Sequence, residues 1–343
     1  MTAKEALIQC VESQKNICDR YSNIVRISPE GGSGCFSLIF TADDTHSKSK
    51  NIKRVVIKFF DPFCREDYRR QCFIREAELL HRLQIDSPKR NILPIVQGRT
   101  EINLELRGLP FPMMFYVSHL ADMDVGRFVY SSQGYEYLQN MVYFRDMCKA
   151  VQRIHAGNIC HRDLKPDNFF ILKRRVYLAD FGTARKCDGS QPPICDNYSH
   201  PAGDSRYIAP ELMCGLQFKD SLNFSADFYS LGLILYELFT KTQLGPEIFK
   251  DRFDLMKCFF CTPESNRVEY FDKLILDIDK NRPLPDIRTA NSEIPKALAP
   301  YLDSLYKSLA ALDYKCRLTD FSVIFTKVNI CTKILEMVKA GKC

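Results

Sequence analysis

The hydrophobic period changes along this chain, and that change limits the folds open to it. Between residues 23 and 60, β-branched and aromatic runs (Ile24-Val25-Arg26-Ile27, then 36–41 and 55–60) are separated by turns rich in Gly, Ser and Lys, the mark of short strands. A charged helical pattern follows over residues 65–83, and strand signals return at 92–98 and 113–119. From about Gly126 the apolar spacing becomes helical, broken only by strand-like pieces at 169–172 and 176–179. A small sheet-rich half followed by a larger helical half is expected, with the boundary between residues 119 and 124. At 343 residues and 45% hydrophobic content, the chain has material for both cores.

The ends read as helix. Ala6, Leu7, Cys10, Val11 and Ile17 recur at roughly helical spacing, which predicts a helical extension over residues 1–22; a helical tail is expected over 327–343. No run approaches the roughly 18 apolar residues of a spanning helix. The nearest, residues 231–239, contains Glu237, so no membrane association is expected. The net charge of +6 is spread along the chain rather than blocked, which argues against a nucleic-acid partner. Fifteen cysteines at irregular spacing follow a start that mixes Lys4, Glu5, Glu12, Lys15 and Asp19 into apolar positions. With no apolar secretion signal there, reduced thiols in a cytoplasmic setting are expected.

The chemistry is written in His161-Arg162-Asp163-Leu164-Lys165-Pro166-Asp167-Asn168. In this segment the chain resembles the eukaryotic-type protein kinase family, Ser/Thr subgroup, whose catalytic loop it matches without a gap. The resemblance implies an α+β, bilobal protein kinase-like fold, with an antiparallel-sheet N-lobe (about 23–120) and a helical C-lobe (about 121–326). It implies transfer of the ATP γ-phosphoryl group to a protein hydroxyl. Asp163 would be the catalytic base and Lys165 would neutralise charge on the moving group. Asn168 and Asp180, the latter in Asp180-Phe181-Gly182, would hold Mg2+. A Lys at position 165 is the Ser/Thr form of the loop.

Upstream, Val55-Val56-Ile57-Lys58 resembles the family strand whose Lys holds the α- and β-phosphates. Its partner would be a Glu on the next helix, where Glu76 and Glu78 are candidates. Glu76 is chosen because Leu80 supplies the apolar residue four positions on, which puts Glu78 on a solvated face. Gly31-Gly32-Ser33-Gly34-Cys35-Phe36-Ser37-Leu38-Ile39 reads as the Gly-rich phosphate lid with Ser37 in place of the third Gly. Gly32, Ser33, Gly34, Phe36 and Ile39 are therefore nucleotide-binding candidates. Leu120, near the hinge, and Phe170, on the floor of the adenine pocket, complete the set.

Three further residues carry structural roles by resemblance. Glu211 of Ala209-Pro210-Glu211 would pair with Arg317, and Asp227 would anchor the catalytic-loop backbone. Arg162 would pair with negative charge on the activation segment, where Ser190, Tyr198, Ser199 and Ser205 are candidate autophosphorylation acceptors. Asp188, Asp196 and Asp204 could supply charge permanently. Asp204 stands where the family usually has a Thr that contacts the catalytic Asp and Lys, so it would pair with Lys165 or repel Asp163.

Other signals carry less. Cys258-Phe259-Phe260-Cys261 lacks a second pair at zinc spacing, and its Phe pair reads as core. Lys173-Arg174-Arg175 reads as a solvated turn, and His46, His81, His155 and His200 form no ligand set. Two other functions compete. A pseudokinase would normally lack Lys58, Asp163 or Asp180, all present here. A small-molecule phosphotransferase would typically lack the Lys-Pro-Asp-Asn run and the Ala-Pro-Glu segment.

Overall fold

The computed structural model describes residues 2–27, 37–47, 54–86, 91–106, 108–134, 136–187, 203–216, 220–248, 253–281 and 283–341. The chain divides into two compact units, Met1–Asp122 with Ala179–Gly182, and Met123–Leu178 with Thr183–Cys343.

The first unit is built on an antiparallel sheet in the order β1-β2-β3-β5-β4. Its strands are β1 (Tyr21–Arg26), β2 (Ser37–Asp44), β3 (Arg54–Phe60), β4 (Ile95–Leu106) and β5 (Leu109–His119). Residues opposite one another share a face, because the side-chain period of a strand is two. Leu38, Phe40 and Ala42 of β2 therefore line up with Phe59, Ile57 and Val55 of β3, and Phe115 and Val117 of β5 extend the layer. Phe59 lies between two further rings, 5.8 Å from Phe40 and 5.2 Å from Phe115.

Helix α1 (Ala3–Glu12) completes that core with Leu7, Ile8 and Val11. Full burial of such side chains contributes roughly 1.5–3 kcal/mol each. Thr2 and Glu5 start α1 as a reciprocal capping box, and Lys4 ties it to Asp61 at 2.6 Å. The helix is shorter than the extension predicted over residues 1–22. Cys18 and Asp19 adopt positive φ, and Ile17 leaves the helix to bridge to Tyr21. The opposite face of the sheet carries the register row Ile39–Lys58–Tyr116. Helix α2 (Asp67–Asp86) reaches this face through Phe73, whose ring lies 5.4 Å from Tyr116.

The second unit is mainly helical. Helix α6 (Asp220–Thr240) is buried on nearly every side, which explains its apolar stretch without a membrane; among the described residues no helix is long and apolar enough to cross one. A Cβ on Gly232 would lie 2.6 Å from the Ala310 backbone nitrogen, so only glycine lets that segment approach α6. Helix α12 is continuous over Phe321–Lys339, with Ile324, Val328, Cys331 and Leu335 buried. The predicted boundary at 326 and 327 therefore falls inside one helix. Strands β8 (Phe169–Leu172) and β9 (Arg175–Leu178) form a hairpin turned by Lys173 and Arg174, both at positive φ and exposed. Arg317 and Glu211 form a fully buried, forked ion pair at 2.5 and 3.1 Å.

Candidate active site

In the first unit, β3 presents Lys58 on the face away from the α1 core. Its Nζ lies 2.7 Å from Glu76 Oε2 on α2 and 3.7 Å from Asp180 Oδ1. Glu78 stands on another face of the helix, largely exposed and 4.0 Å from Arg99, so Glu76 is the residue that meets Lys58. Burial alone would lower the Lys58 pKa, but Glu76, Tyr116 and Asp180 outweigh it and hold the ammonium well above its ordinary value.

Tyr116 is a member of this cluster that motif reading missed. Lys58 Nζ lies 5.9 Å from its ring centroid, and its phenol offsets part of the cost of burying the Glu76 carboxylate. No local pattern marks this tyrosine. It is found only through the register that sets Tyr116 opposite Lys58. Arg75, also unpredicted, donates from Nη1 to the Gly182 carbonyl at 2.9 Å. Asp180 adopts φ 60.

In the second unit, the loop that begins at His161 is fixed by the buried Asp227 carboxylate. It accepts the backbone N–H of His161 at 2.8 Å and of Arg162 at 2.9 Å, and His155 Nε2 joins at 2.9 Å. His155 thus belongs to the anchor, packed by the rings of Phe224, Phe228 and Phe321. Arg162 takes φ 67 and turns its guanidinium onto the Thr183 carbonyl, at 2.8 Å from Nε.

Asp163 sits inside a cage of donors. Lys165 Nζ lies 3.0 Å from Oδ2, and the Asp204 backbone N–H donates to Oδ1 at 2.7 Å. Asn168 Nδ2 donates to the Asp163 carbonyl at 2.8 Å, so its Oδ1 is the side-chain atom with lone pairs to offer a cation. Gly203 must be glycine: its φ is +114, and a Cβ there would lie 2.6 Å from the Arg162 carbonyl oxygen.

The Asp204 side chain pairs with two cations. It accepts Arg206 Nε at 3.0 Å and Nη2 at 2.7 Å, with Lys165 Nζ 3.7 Å away. Burial alone would raise its pKa, but the hydrogen bonds from Arg206 and the charge of Lys165 draw it below the ordinary value. Arg206 also lies 3.5 Å from Asp167. Of the two alternatives for Asp204, pairing with Lys165 is the one present, with Arg206 as an unforeseen principal partner.

The remaining candidates are spread along the two units. Ile39 stands half-buried beside Lys58 in its row, Leu120 is half-buried just after β5, and Phe170 is half-buried on β8 opposite Tyr177. Gly32, Ser33, Gly34 and Phe36 lie outside the described residues, as do Ser190, Tyr198, Ser199, Asp188 and Asp196. Ser37 opens β2 with its hydroxyl buried and unpartnered among the described residues. The Cys258–Cys261 segment is not uniformly core: Cys258 is buried, but Phe260 and Cys261 are exposed. Among the described residues no cluster of three or more His, Cys, Asp or Glu could hold a metal by itself. Asp180 and Asn168 Oδ1 are hard oxygen donors of the kind that suit Mg2+ shared with phosphate.

Both donor arrangements belong to one class. Residues 27–329 match the protein kinase domain, and the chain belongs to that family. It is similar to a probable cell division protein kinase of Encephalitozoon cuniculi, at 29% identity over 63% of this chain and 71% of that one. It is also similar to mitogen-activated protein kinase 8 of Oryza sativa, at 26% identity over 87% of this chain and 50% of that one. A serine/threonine-protein kinase of Myxococcus xanthus is 38% identical over 27% of this chain and 13% of its own length.

Proposed function

We propose that this chain is an ATP-dependent Ser/Thr protein kinase that transfers the γ-phosphoryl group to a protein hydroxyl. The observation that carries this reading is the cage around Asp163, with Lys165 on one carboxylate oxygen and the Asp204 N–H on the other. A carboxylate held that way can orient the acceptor hydroxyl and take its proton as the oxygen attacks phosphorus. Lys58, kept charged and aimed by Glu76, holds the α- and β-phosphates, and Lys165 offsets charge on the transferred group. Magnesium, when bound through Asn168 and Asp180, would screen the phosphate charge. Ile39, Leu120 and Phe170 are the proposed adenine contacts, and Gly32, Ser33, Gly34 and Phe36 the proposed phosphate-loop residues.

The proposed kinase domain covers residues 23–326, its substrates are proteins, and autophosphorylation would fall on the activation segment. A cytoplasmic location is part of the same proposal, supported by twelve free cysteines among the described residues. The reading is tested by radiolabelled transfer from ATP with magnesium, onto the protein itself and a generic basic protein, followed by phosphoamino-acid analysis. Phosphoserine or phosphothreonine that disappears in Asp163→Ala supports it. ATP binding without transfer in either protein would favour a pseudokinase, and transfer to free sugars alone a small-molecule phosphotransferase.

A further inference from the structure

Two thiols meet where the activation segment leaves the catalytic loop. Cys160 ends β7 (Ile159–Cys160), and Cys187 follows β10 (Arg185–Lys186). The two strands pair antiparallel, with Arg185 opposite Cys160 and Lys186 opposite Ile159. The Cys187 N–H continues the ladder by donating to the Asn158 carbonyl at 2.7 Å. This backbone bond holds the two sulfurs 3.3 Å apart. A disulfide requires about 2.05 Å, so the sulfurs need close by only about 1.3 Å.

We propose that Cys160 and Cys187 are an oxidation site, forming a reversible disulfide when the protein meets a peroxide. The two cysteines differ in access: Cys160 is fully buried, whereas Cys187 is half-buried. Burial also pushes the Cys160 thiol well above its ordinary pKa, so Cys187 is the sulfur that reacts first. The Cys187 thiolate attacks one peroxide oxygen, the O–O bond breaks, and hydroxide leaves, taking up a proton to become water. The resulting sulfenic acid is attacked by the Cys160 sulfur. The S–S bond forms, the S–O bond breaks, and a second water departs with the Cys160 proton. Two thiols are oxidised by two electrons and one peroxide is reduced to two waters. A dithiol reverses the reaction by exchange.

The site lies at a mechanically coupled point. Cys160 is followed directly by His161 and Arg162, whose N–H groups hang on Asp227. Two residues before the other strand, Thr183 accepts Arg162 Nε through its carbonyl and donates its hydroxyl to the His161 carbonyl at 3.1 Å. Closing the sulfurs draws β10 towards β7 and strains these bonds three residues before Asp163. A displacement of about 1 Å at catalytic groups costs up to about 100-fold in rate, so a loss of at least about threefold in kcat is expected.

The test uses the full chain, reduced and then exposed to hydrogen peroxide, with thiols blocked and the protein digested under non-reducing conditions. A Cys160–Cys187 cross-linked peptide that dithiothreitol removes and Cys187→Ser abolishes supports the proposal. Both residues recovered as blocked thiols, Cys187 recovered only as sulfinic acid, or a bond found only between other cysteines would each overturn it. In parallel, phosphoryl transfer by the wild type should fall and recover with dithiothreitol while Cys187→Ser is indifferent. Transfer unchanged by a quantitatively formed bond overturns the regulatory role. The cross-link is read without catalysis, so a protein with no transfer activity still answers the chemical question.

Discussion

The backbone N–H of Asp204 donates to Asp163 Oδ1 at 2.7 Å while the Asp204 carboxylate grips the Arg206 guanidinium through two nitrogens. One residue thus links the proposed proton acceptor, Asp163, to the guanidinium of Arg206. Asp204→Ala keeps the backbone donor but releases Arg206 and unbalances Lys165. Its kcat should fall about tenfold with KM for ATP within about twofold, the pattern of lost positioning rather than lost binding. Asp204→Thr should change the ranking of peptide substrates by freeing Arg206. Steady-state kinetics on a small peptide panel measures both, and unchanged kinetics with an unchanged ranking would refute the linkage.

Tyr116→Phe keeps the ring beside Lys58 and removes the hydroxyl that helps to offset the buried charge of Glu76. A polar neighbour of a buried charge contributes about 1 kcal/mol, so the variant should lose stability of that order in urea unfolding. Nucleotide affinity should weaken severalfold, because Glu76 no longer aims Lys58 as firmly. A variant as stable and as tight for ATP as the wild type would remove Tyr116 from the cluster.

Arg317 and Glu211 are both fully buried. Arg317→Ala leaves an uncompensated carboxylate and should cost about 3–5 kcal/mol, whereas replacing both partners by apolar residues of similar volume should cost far less. Chemical denaturation of the two single variants and the double variant distinguishes a coupled pair from two independent losses.

Glu237 predicts a pH dependence. Burial raises its carboxyl above the ordinary value of 4.5, although Tyr130 and Tyr207 both donate to it. A raised folded-state value means the folded protein binds the proton more tightly than the unfolded chain. The stabilisation is complete below 4.5 and is lost as pH rises through the folded value. Relative to Glu237→Gln, the wild type should therefore gain melting temperature as pH is lowered from neutrality towards 4.5. A difference independent of pH across that window would contradict the assignment.

The α+β division was legible in the sequence because two periods, two and 3.6, occupy different stretches of it. Strand lengths were less so. Residues 92–98 and 113–119 read as strands, yet β4 and β5 run over Ile95–Leu106 and Leu109–His119. Pro110 and Pro112 hide the start of β5. They are tolerated because β3 pairs only with residues 115–119, leaving that part of β5 an edge. In the candidate site, Lys58 and Asp163 stand in contiguous motifs. Tyr116, His155 and Arg206 act through partners 58, 72 and two residues away respectively. Tyr116 and His155 depend on tertiary register that no local pattern records, and Arg206 depends on a loop turn.

Helix α1 has a practical consequence for anyone preparing the protein. The kinase domain match begins at residue 27, but Leu7, Ile8, Val11, Ile17, Tyr21 and Ile24 belong to the same buried layer as Phe40 and Phe115. A recombinant domain trimmed to that match would discard an entire strand and its covering helix, leaving a greasy sheet face and the raw edge of β2 open to self-association. Truncated material that precipitates would thus report a misplaced cut, not an unstable enzyme.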